Sequence, residues 1–253
     1  MSVTTAGGFV AAGAACGVKG DGALDLSLVA TADGRPVTAA AVFTSNRATA
    51  APVEVSRRHL EATGGRAAAV LLNSGNANAA TGRAGVDAAE RMCAATAREI
   101  GCRPEEVLVC STGLIGIPLP VERIEAGLPA LAASRGTGAA GLAARAIMTT
   151  DTRPKEVVVD GGGFTVGGMA KGAAMLAPDM ATMLAVLTTD AAFATGELGG
   201  LLRRAVAASF NKLSVDGCTS TNDTVIVLAS GHAGPVDSET LAAALETACV
   251  DLA

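Results

Sequence analysis

Residues 171–190, KGAAMLAPDMATMLAVLTTD, are the stretch around which the fold is expected to form. A glycine-flanked segment, 167–172, predicts a flexible approach to it. Pro178 prevents a helix from running straight through the following loop. Directly after Thr182, the apolar residues 183–187 predict a buried strand. A small hydroxyl residue therefore stands at the first position of a predicted core strand, behind a loop that contains proline.

A threonine in this position suits one kind of chemistry. If the bond between Ala181 and Thr182 were cut, the α-amine of Thr182, with an ordinary pKa of about 7.7–8.0, could activate its own hydroxyl as a nucleophile. The strand would hold the hydroxyl in place, and the small side chain of Ala181 would leave it room to attack the preceding carbonyl. From the pattern alone, an ordinary β-branched strand residue is the commoner case for a threonine at a strand start.

The composition excludes several classes of function. The chain has 253 residues, half of them hydrophobic, so one large domain or two can bury a sizeable core. The formal net charge is −5 and the only aromatic residues are five phenylalanines, which argues against nucleic-acid binding. No apolar stretch reaches the roughly 20 residues of a membrane span, and the N-terminus lacks the basic start of a secretory signal. We therefore expect a cytoplasmic protein that binds neither nucleic acid nor membrane.

The sequence contains no pattern typical of a metal, nucleotide or histidine-based catalytic site. The six cysteines, at positions 16, 93, 102, 110, 218 and 249, form no CxxC pair and are expected to be buried, reduced thiols. His59 and His232 stand in polar surroundings without a partner motif, so neither is indicated as a catalytic base. We therefore predict no metal site.

Hydrophobic periodicity predicts a mixture of short strands and helices, which is typical of an α/β or layered α+β fold. Strands are expected at 24–30, 37–44, 67–72, 106–110, 156–160, 164–166, 183–187 and 224–228. Helices are expected at about 54–63, at 84–100 with Gly101 as the stop, at 121–133, 139–148 and 191–207, and from 238 onwards after a start signal at 237–240. The first two strands are expected to pair as a hairpin across the turn at Asp33 and Gly34. Residues 73–78 are expected to form a polar loop at a strand end.

Five segments together resemble the ornithine acetyltransferase family, the bifunctional glutamate N-acetyltransferases of cyclic arginine biosynthesis. These segments are 167–184 (GGMAKGAAMLAPDMATML), 73–78 (NSGNAN), 111–116 (STGLIG), 148–152 (MTTDT) and 214–223 (SVDGCTSTND). They keep the family's order and extend over most of the chain. Each segment alone would be a weak match, but the set is specific.

The resemblance implies a fold in which helices pack outside stacked β-sheets, similar to related aminopeptidases. It also implies self-cleavage between Ala181 and Thr182. The cut would separate an α region, 1–181, which carries the oxyanion and substrate loops, from a β region, 182–253, which begins at the nucleophile. Thr182 would then take acetyl from N-acetylornithine and pass it to glutamate.

The remaining site residues are also carried over from the resemblance. The family's oxyanion pair falls on Thr112 and Gly113, which from pattern alone form a strand-ending turn. The substrate-contacting positions fall on Lys171, otherwise a solvated loop lysine, and on Thr149, otherwise a polar helix terminus. The assignment of Thr149 rather than its neighbour Thr150 depends on a loop of variable length.

The resemblance further implies two unlike pieces per protomer, assembled as a heterotetramer of two α and two β pieces. It implies no metal or prosthetic group, and some members of the family accept acetyl from acetyl-CoA. The chain departs from the family pattern at Ala174, where glycine is usual, and at Cys218, where aspartate is usual.

Two other interpretations stay open at this point. The last predicted helix reaches the final residue without a cap, so we expect the chain to be a truncated form that lacks the family's C-terminal substrate contacts. Such a form could be a non-catalytic fragment. Alternatively, the chain could be a self-processing N-terminal-nucleophile aminopeptidase, in which water replaces glutamate as the acceptor.

Overall fold

Two β-sheets stack face to face in the computed structural model, which describes residues 2–20, 22–172, 183–213 and 219–253. The described strands are β1 (Phe9–Ala14), β2 (Leu26–Thr31), β3 (Val37–Phe43), β4 (Arg66–Ala67), β5 (Ala69–Asn76), β6 (Val107–Leu114), β7 (Lys155–Asp160), β8 (Thr165–Lys171), β9 (Leu184–Ala192) and β10 (Thr224–Pro235). The described α-helices are α1 (Ala51–Ala62), α2 (Gly82–Ile100), α3 (Val121–Ala133), α4 (Ala140–Ala146), α5 (Thr195–Ala208) and α6 (Ser238–Leu252).

The two sheets differ in size and in pairing. The smaller has the spatial order β1-β2-β5-β6, in which only the β5–β6 pair is parallel. The larger has the order β4-β3-β10-β9-β8-β7, in which only the β9–β10 pair is parallel. Strand β9, which follows the predicted nucleophile, therefore lies inside the larger sheet, between β8 and β10.

Apolar side chains fill the space between the sheets and cover both outer faces. The cluster between the sheets includes Val29, Val70, Leu72, Leu108, Met169, Leu184, Val186, Ile226 and Leu228. Helices α2 and α3 pack on the outer face of the smaller sheet, and α5 and α6 pack on that of the larger sheet. This arrangement confirms the predicted layered fold with helices outside stacked sheets.

Several predicted elements are confirmed together with the signals that predicted them. Helix α3 has the predicted bounds. Helix α2 ends at Gly101, whose φ of +84° and N–H bond to the Ala97 carbonyl close the helix. Helix α6 begins after Asp237, whose side chain accepts a hydrogen bond from the Thr240 amide. Strands β7 and β8 pair antiparallel as expected.

The predicted hairpin across Asp33 and Gly34 is wrong. The turn is present, but β2 pairs with β1 and β5, whereas β3 pairs with β10 and β4 in the other sheet. The chain therefore crosses from one sheet to the other at this turn. Strand β1 carried no clear sequence pattern because it consists mainly of alanine and glycine, which have low strand propensity.

Four segments that we expected to be loops, turns or helix are strands. Strand β5 continues to Asn76 and β6 continues to Leu114. Most polar residues of the segments 73–78 and 111–116 therefore belong to strand ends. Residues 167–171 are a buried part of β8 rather than a flexible approach. Residues 191 and 192 still belong to β9, so α5 begins later than predicted.

Candidate active site

The ends of β6 and β8 bring two predicted site residues from different sheets into contact. Nζ of Lys171, the last residue of β8, donates to Oγ1 of Thr112 near the end of β6 at 3.3 Å. Lys171 is only 2% exposed and Thr112 only 3%. The alternative interpretation of Lys171 as a solvated loop lysine is therefore wrong, because β8 carries Lys171 into the space between the sheets.

The backbone at Gly113 has a conformation and a packing environment that only glycine tolerates. Its φ is +134°, outside the range of most side-chain-bearing residues. A Cβ atom at this position would lie 2.3 Å from the carbonyl carbon of Gly75 and 2.5 Å from the amide nitrogen of Asn76. Strand β5 thus presses against the backbone directly after Thr112, at a register shift in the β5–β6 ladder.

Charged groups surround the Lys171 ammonium. Burial lowers the pKa of Lys171, while the carboxylates of Asp151 and Asp223 raise it and the ammonium groups of Lys19 and Lys155 lower it further. A lysine whose charge is destabilised by burial keeps its place through hydrogen bonds and opposite charges.

Asp151 links the predicted substrate residue Thr149 to the end of β8. One carboxylate oxygen accepts the Gly172 amide at 2.7 Å, and the other accepts the Thr149 amide at 3.2 Å. Thr149 itself is exposed, so its hydroxyl is open to a ligand. Thr150 is exposed as well, and the geometry does not choose between them.

Residues Asp223 and Thr224 hold both backbone polar groups of Met183. Oδ1 of Asp223 accepts the Met183 amide at 2.8 Å, and the Thr224 amide donates to the Met183 carbonyl at 3.0 Å. Asp223 is 1% exposed, and burial raises its pKa to about 7 against the opposing effect of the Met183 hydrogen bond. Met183 follows Thr182 in the chain, so these contacts fix the residue next to the predicted nucleophile.

Five positions of the sequence prediction lie outside the described residues. They are Ala174, Pro178, Ala181, Thr182 and Cys218. The nucleophile, the cleavage site and the helix break at Pro178 therefore stay predictions.

A polar network that the sequence analysis did not interpret connects the two sheets near this site. The hydroxyl of Ser111 donates to Oδ1 of Asn73 at 2.6 Å. Nδ2 of Asn222 donates to the carbonyls of Ala77 and Ser111, at 2.6 and 3.0 Å. These residues lie in segments that carried the resemblance, but amide side chains in such segments give no sequence signal for a specific partner.

The structure shows the surroundings of His59 and of the described cysteine side chains. His59 is buried, with its ring nitrogens facing the Val107 carbonyl and the Glu90 carboxylate. Cys93, Cys110 and Cys249 are buried free thiols as expected, and burial raises the pKa of each. The other two described cysteines, at 16 and 102, are only half-buried.

Other candidate sites are weaker over the described ranges. The residues with assigned positions include no group of three or more histidine, cysteine, aspartate or glutamate side chains that could hold a metal ion. None of the helices in the described part of the chain is long and apolar enough to cross a membrane. A cleft of about 660 Å³ lies between α2 and the start of α3, and no predicted site residue lines it.

The raised pKa of Asp223 predicts how stability depends on pH. In the unfolded chain this carboxyl ionises near its ordinary pKa of about 3.9, whereas in the folded chain it ionises near pH 7. Between these values the folded state holds the extra proton, so each rise in pH favours the unfolded state. The expected loss is of the order of 2–4 kcal/mol between about pH 4 and 7.

Urea unfolding followed by circular dichroism at pH 4.5, 5.5, 6.5 and 7.5 measures this slope, with Asp223→Asn as the comparison. The lowered pKa of Lys171 acts in the opposite sense, since it makes stability rise with pH between that pKa and the ordinary value for lysine. The Asn variant should lack the Asp223 component. Parallel pH profiles for the two proteins would contradict the assignment.

The sequence comparisons identify one family. The model of the ArgJ family matches residues 10–253. The arginine biosynthesis bifunctional protein ArgJ of Thermobifida fusca is 47% identical over 253 residues, which is all of this chain and 65% of that protein. The protein of the same name from Streptomyces coelicolor is 48% identical with the same coverage. The chain thus spans about 65% of the length of these relatives.

The structural comparisons agree with the sequence comparisons. The crystal structure of ornithine acetyltransferase from Mycobacterium tuberculosis, complexed with ornithine, is 43% identical with a TM-score of 0.66. That match covers 72% of this chain and 96% of the other. A β-aminopeptidase from Burkholderia sp. has a TM-score of 0.63 over 99% of this chain and 84% of its own. At 14% identity, this second likeness concerns the fold alone.

Proposed function

Because the chain belongs to the ArgJ family, we propose that it carries the nucleophile of a self-processing acetyltransferase of arginine biosynthesis. The observation that carries this proposal is the contact between Lys171 and Thr112. It brings the predicted oxyanion residue and a predicted substrate residue together at one end of the stacked sheets. Strand β9, which begins two residues after Thr182, starts at the same end because Leu184 is paired with Lys171.

The first step of the proposed mechanism is self-cleavage. The Thr182 hydroxyl oxygen attacks the carbonyl carbon of Ala181, the C–N bond breaks, and the nitrogen takes up the hydroxyl proton. Water then hydrolyses the resulting ester, which frees the Ala181 carboxylate and leaves Thr182 with a free α-amine. This amine is the base that activates the hydroxyl for the next reaction.

The second step is acetyl transfer through an ester on Thr182. The hydroxyl attacks the acetyl carbonyl of N-acetylornithine, ornithine leaves, and the amine of glutamate then takes the acetyl group. The Thr112 hydroxyl and the Gly113 N–H are the proposed donors to the developing oxyanion. Lys171 supports this role, because its donation to Thr112 Oγ1 leaves the hydroxyl hydrogen free to point at the oxyanion.

The substrates and the assembly follow from the same proposal. N-acetylornithine and glutamate are the expected substrates. Among the residues that the structure describes, Thr149 and Lys171 are expected to contact them. The cleaved pieces, 1–181 and the piece that starts at 182, would assemble as a heterotetramer of two α and two β pieces. No metal or prosthetic group is needed, and acetyl-CoA would serve only as a second acetyl donor.

Product analysis with and without glutamate tests the proposed reaction on the natural full-length protein. Since the relatives are longer than this chain, the 253-residue chain is assayed beside it. Release of ornithine that depends on glutamate, with formation of N-acetylglutamate, is the expected result. Release of ornithine and acetate at the same rate without glutamate would identify a hydrolase instead. An inactive 253-residue chain beside an active full-length protein would identify a non-catalytic fragment.

Lys171→Met is expected to lower the transfer rate by about 10²-fold, because the Thr112 hydroxyl loses the donor that orients it. The measurement is the initial rate of N-acetylglutamate formation at saturating substrate. Lys212→Met is the matched control, because Lys212 is exposed and lies on the short helical turn after α5. Equal rates for the two variants would argue against a role of Lys171 in the site.

A further inference from the structure

Asp223 stands out among the buried titratable groups because the proposed reaction steps do not use it. It lies directly before β10 and is 1% exposed. Its backbone carbonyl accepts the Thr44 amide at 2.9 Å, which ties it to the chain after β3. The backbone of Asp223 is therefore bonded to the chain after β3, while its side chain contacts Met183 at the start of β9.

The contact of Asp223 with Met183 lies one residue after the bond that the proposed self-cleavage breaks. Oδ1 accepts the Met183 N–H at 2.8 Å, and that nitrogen is covalently bonded to the carbonyl carbon of Thr182. The neighbouring Thr224 amide holds the Met183 carbonyl at 3.0 Å. Both backbone polar groups of Met183 are thus held by hydrogen bonds.

Asn222, the residue before Asp223, contacts β6, the strand that carries Thr112 and Gly113. Nδ2 of Asn222 donates to the carbonyl of Ser111, the residue that precedes Thr112. Asn222 and Asp223 therefore hold the start of β9 and the end of β6, which belong to different sheets, through adjacent side chains. This arrangement sets the distance between the nucleophile-bearing strand and the oxyanion pair.

We propose that Asp223 is a positioning residue for self-cleavage, acting through the Met183 amide to hold Thr182 in register with Thr112 and Gly113. This inference rests on the proposed function, since it requires Thr182 to be the nucleophile. In this role Asp223 holds the backbone at Met183 by a hydrogen bond and does not bind substrate. A displacement of about 1 Å at a reacting group can cost about 10²-fold in rate.

The surrounding charges give this role a pH signature. Lys171 faces Asp223, and Asp151, Lys19 and Lys155 surround Lys171 in turn. Burial raises the pKa of Asp223 to about 7, so its ionisation falls within the working range of a cytosolic enzyme assay. An ionised carboxylate is a stronger acceptor than a neutral one, so cleavage should speed up as pH rises through 7.

Self-cleavage of freshly refolded full-length protein, followed by mass spectrometry over pH 5.5–8.5, tests the inference with two substitutions. Asp223→Ala removes the acceptor and is expected to cleave about 10²-fold more slowly. Asp223→Asn retains an acceptor oxygen and is expected to cleave within about threefold of the unsubstituted protein at pH 6. Its rate should lack the rise through pH 7. Asp87→Ala is the control, because Asp87 is an exposed residue of α2.

The outcomes separate this inference from the proposed function. Cleavage by folded Asp223→Ala at the unsubstituted rate would overturn the role of Asp223. Equal slowing of both Asp223 variants at every pH would also overturn it, because the retained acceptor should rescue cleavage. If Asp223→Ala does not fold, the pH profile of Asp223→Asn decides alone. Cleavage by Thr182→Ala would overturn the proposed function itself, whatever the Asp223 variants do.

Discussion

Thr182→Ala is expected to leave the protein as a single uncut chain and to lower acetyl transfer by about 10⁴-fold or more. The alanine variant has no hydroxyl to attack the Ala181 carbonyl and none to carry the acetyl group. Without the cut, it also lacks the free α-amine that acts as base. One substitution therefore removes the nucleophile and prevents the base from forming, which is why its effect should exceed that of every other variant.

Mass spectrometry of the purified protein and N-acetylglutamate formation measure the two losses separately. Thr182→Ser keeps a hydroxyl and should retain measurable cleavage and transfer. Thr247→Ala is the matched control, since Thr247 is exposed on α6 and bonds only the Ala243 carbonyl of its own helix among the described contacts. A cleaved and active Thr182→Ala protein would exclude Thr182 as the nucleophile.

Gly113→Ala is expected to lower the free energy of unfolding by about 2–4 kcal/mol and transfer by about 10²-fold. The added Cβ would sit 2.3 Å from the Gly75 carbonyl carbon, so the β5 or β6 backbone must move. The φ of +134° adds strain to this overlap. Because the Gly113 N–H is a proposed oxyanion donor, this displacement should lower the rate of acetyl transfer as well as the stability.

Gly116→Ala separates the steric overlap of the added Cβ with β5 from the backbone strain of a positive φ. Gly116 also has a positive φ, +80°, but a Cβ there would meet no atom within 4 Å. This control should cost only about 1 kcal/mol and leave transfer nearly unchanged. Urea unfolding followed by circular dichroism compares the two, since the chain has neither Trp nor Tyr for fluorescence. Equal stability and activity of the two variants would show that β5 does not constrain Gly113.

The sequence predicted the elements that have a strong local period or a terminal signal. Helix α2 has both an apolar face and Gly101 as its stop, and α6 has Asp237 as its cap. The layered fold followed from the mixture of these elements and from the resemblance. Strand pairing was not predictable in the same way, because β3 pairs with β10, about 180 residues later in the chain.

The polar strand ends were harder to predict for a different physical reason. Asn73, Ser111 and Asn222 are buried polar residues, and local patterns assign such residues to loops. Asn73 and Ser111 are tolerated in strands, and Asn222 in the segment before β10, because each finds a partner on another segment. The burial of Lys171 likewise depends on Thr112 and on carboxylates distant in sequence. The resemblance predicted Thr112 and Lys171 as site residues, and the structure shows that they are in contact.

The intact mass of the natural full-length protein tests the central proposal most directly. Two polypeptides whose sequences meet between Ala181 and Thr182 are expected, and a single uncut chain is expected for Thr182→Ala. The α piece should end with the carboxylate of Ala181, and the β piece should begin with a free threonine amine. A single uncut mass for the folded, unsubstituted protein would contradict self-cleavage and with it the proposed nucleophile.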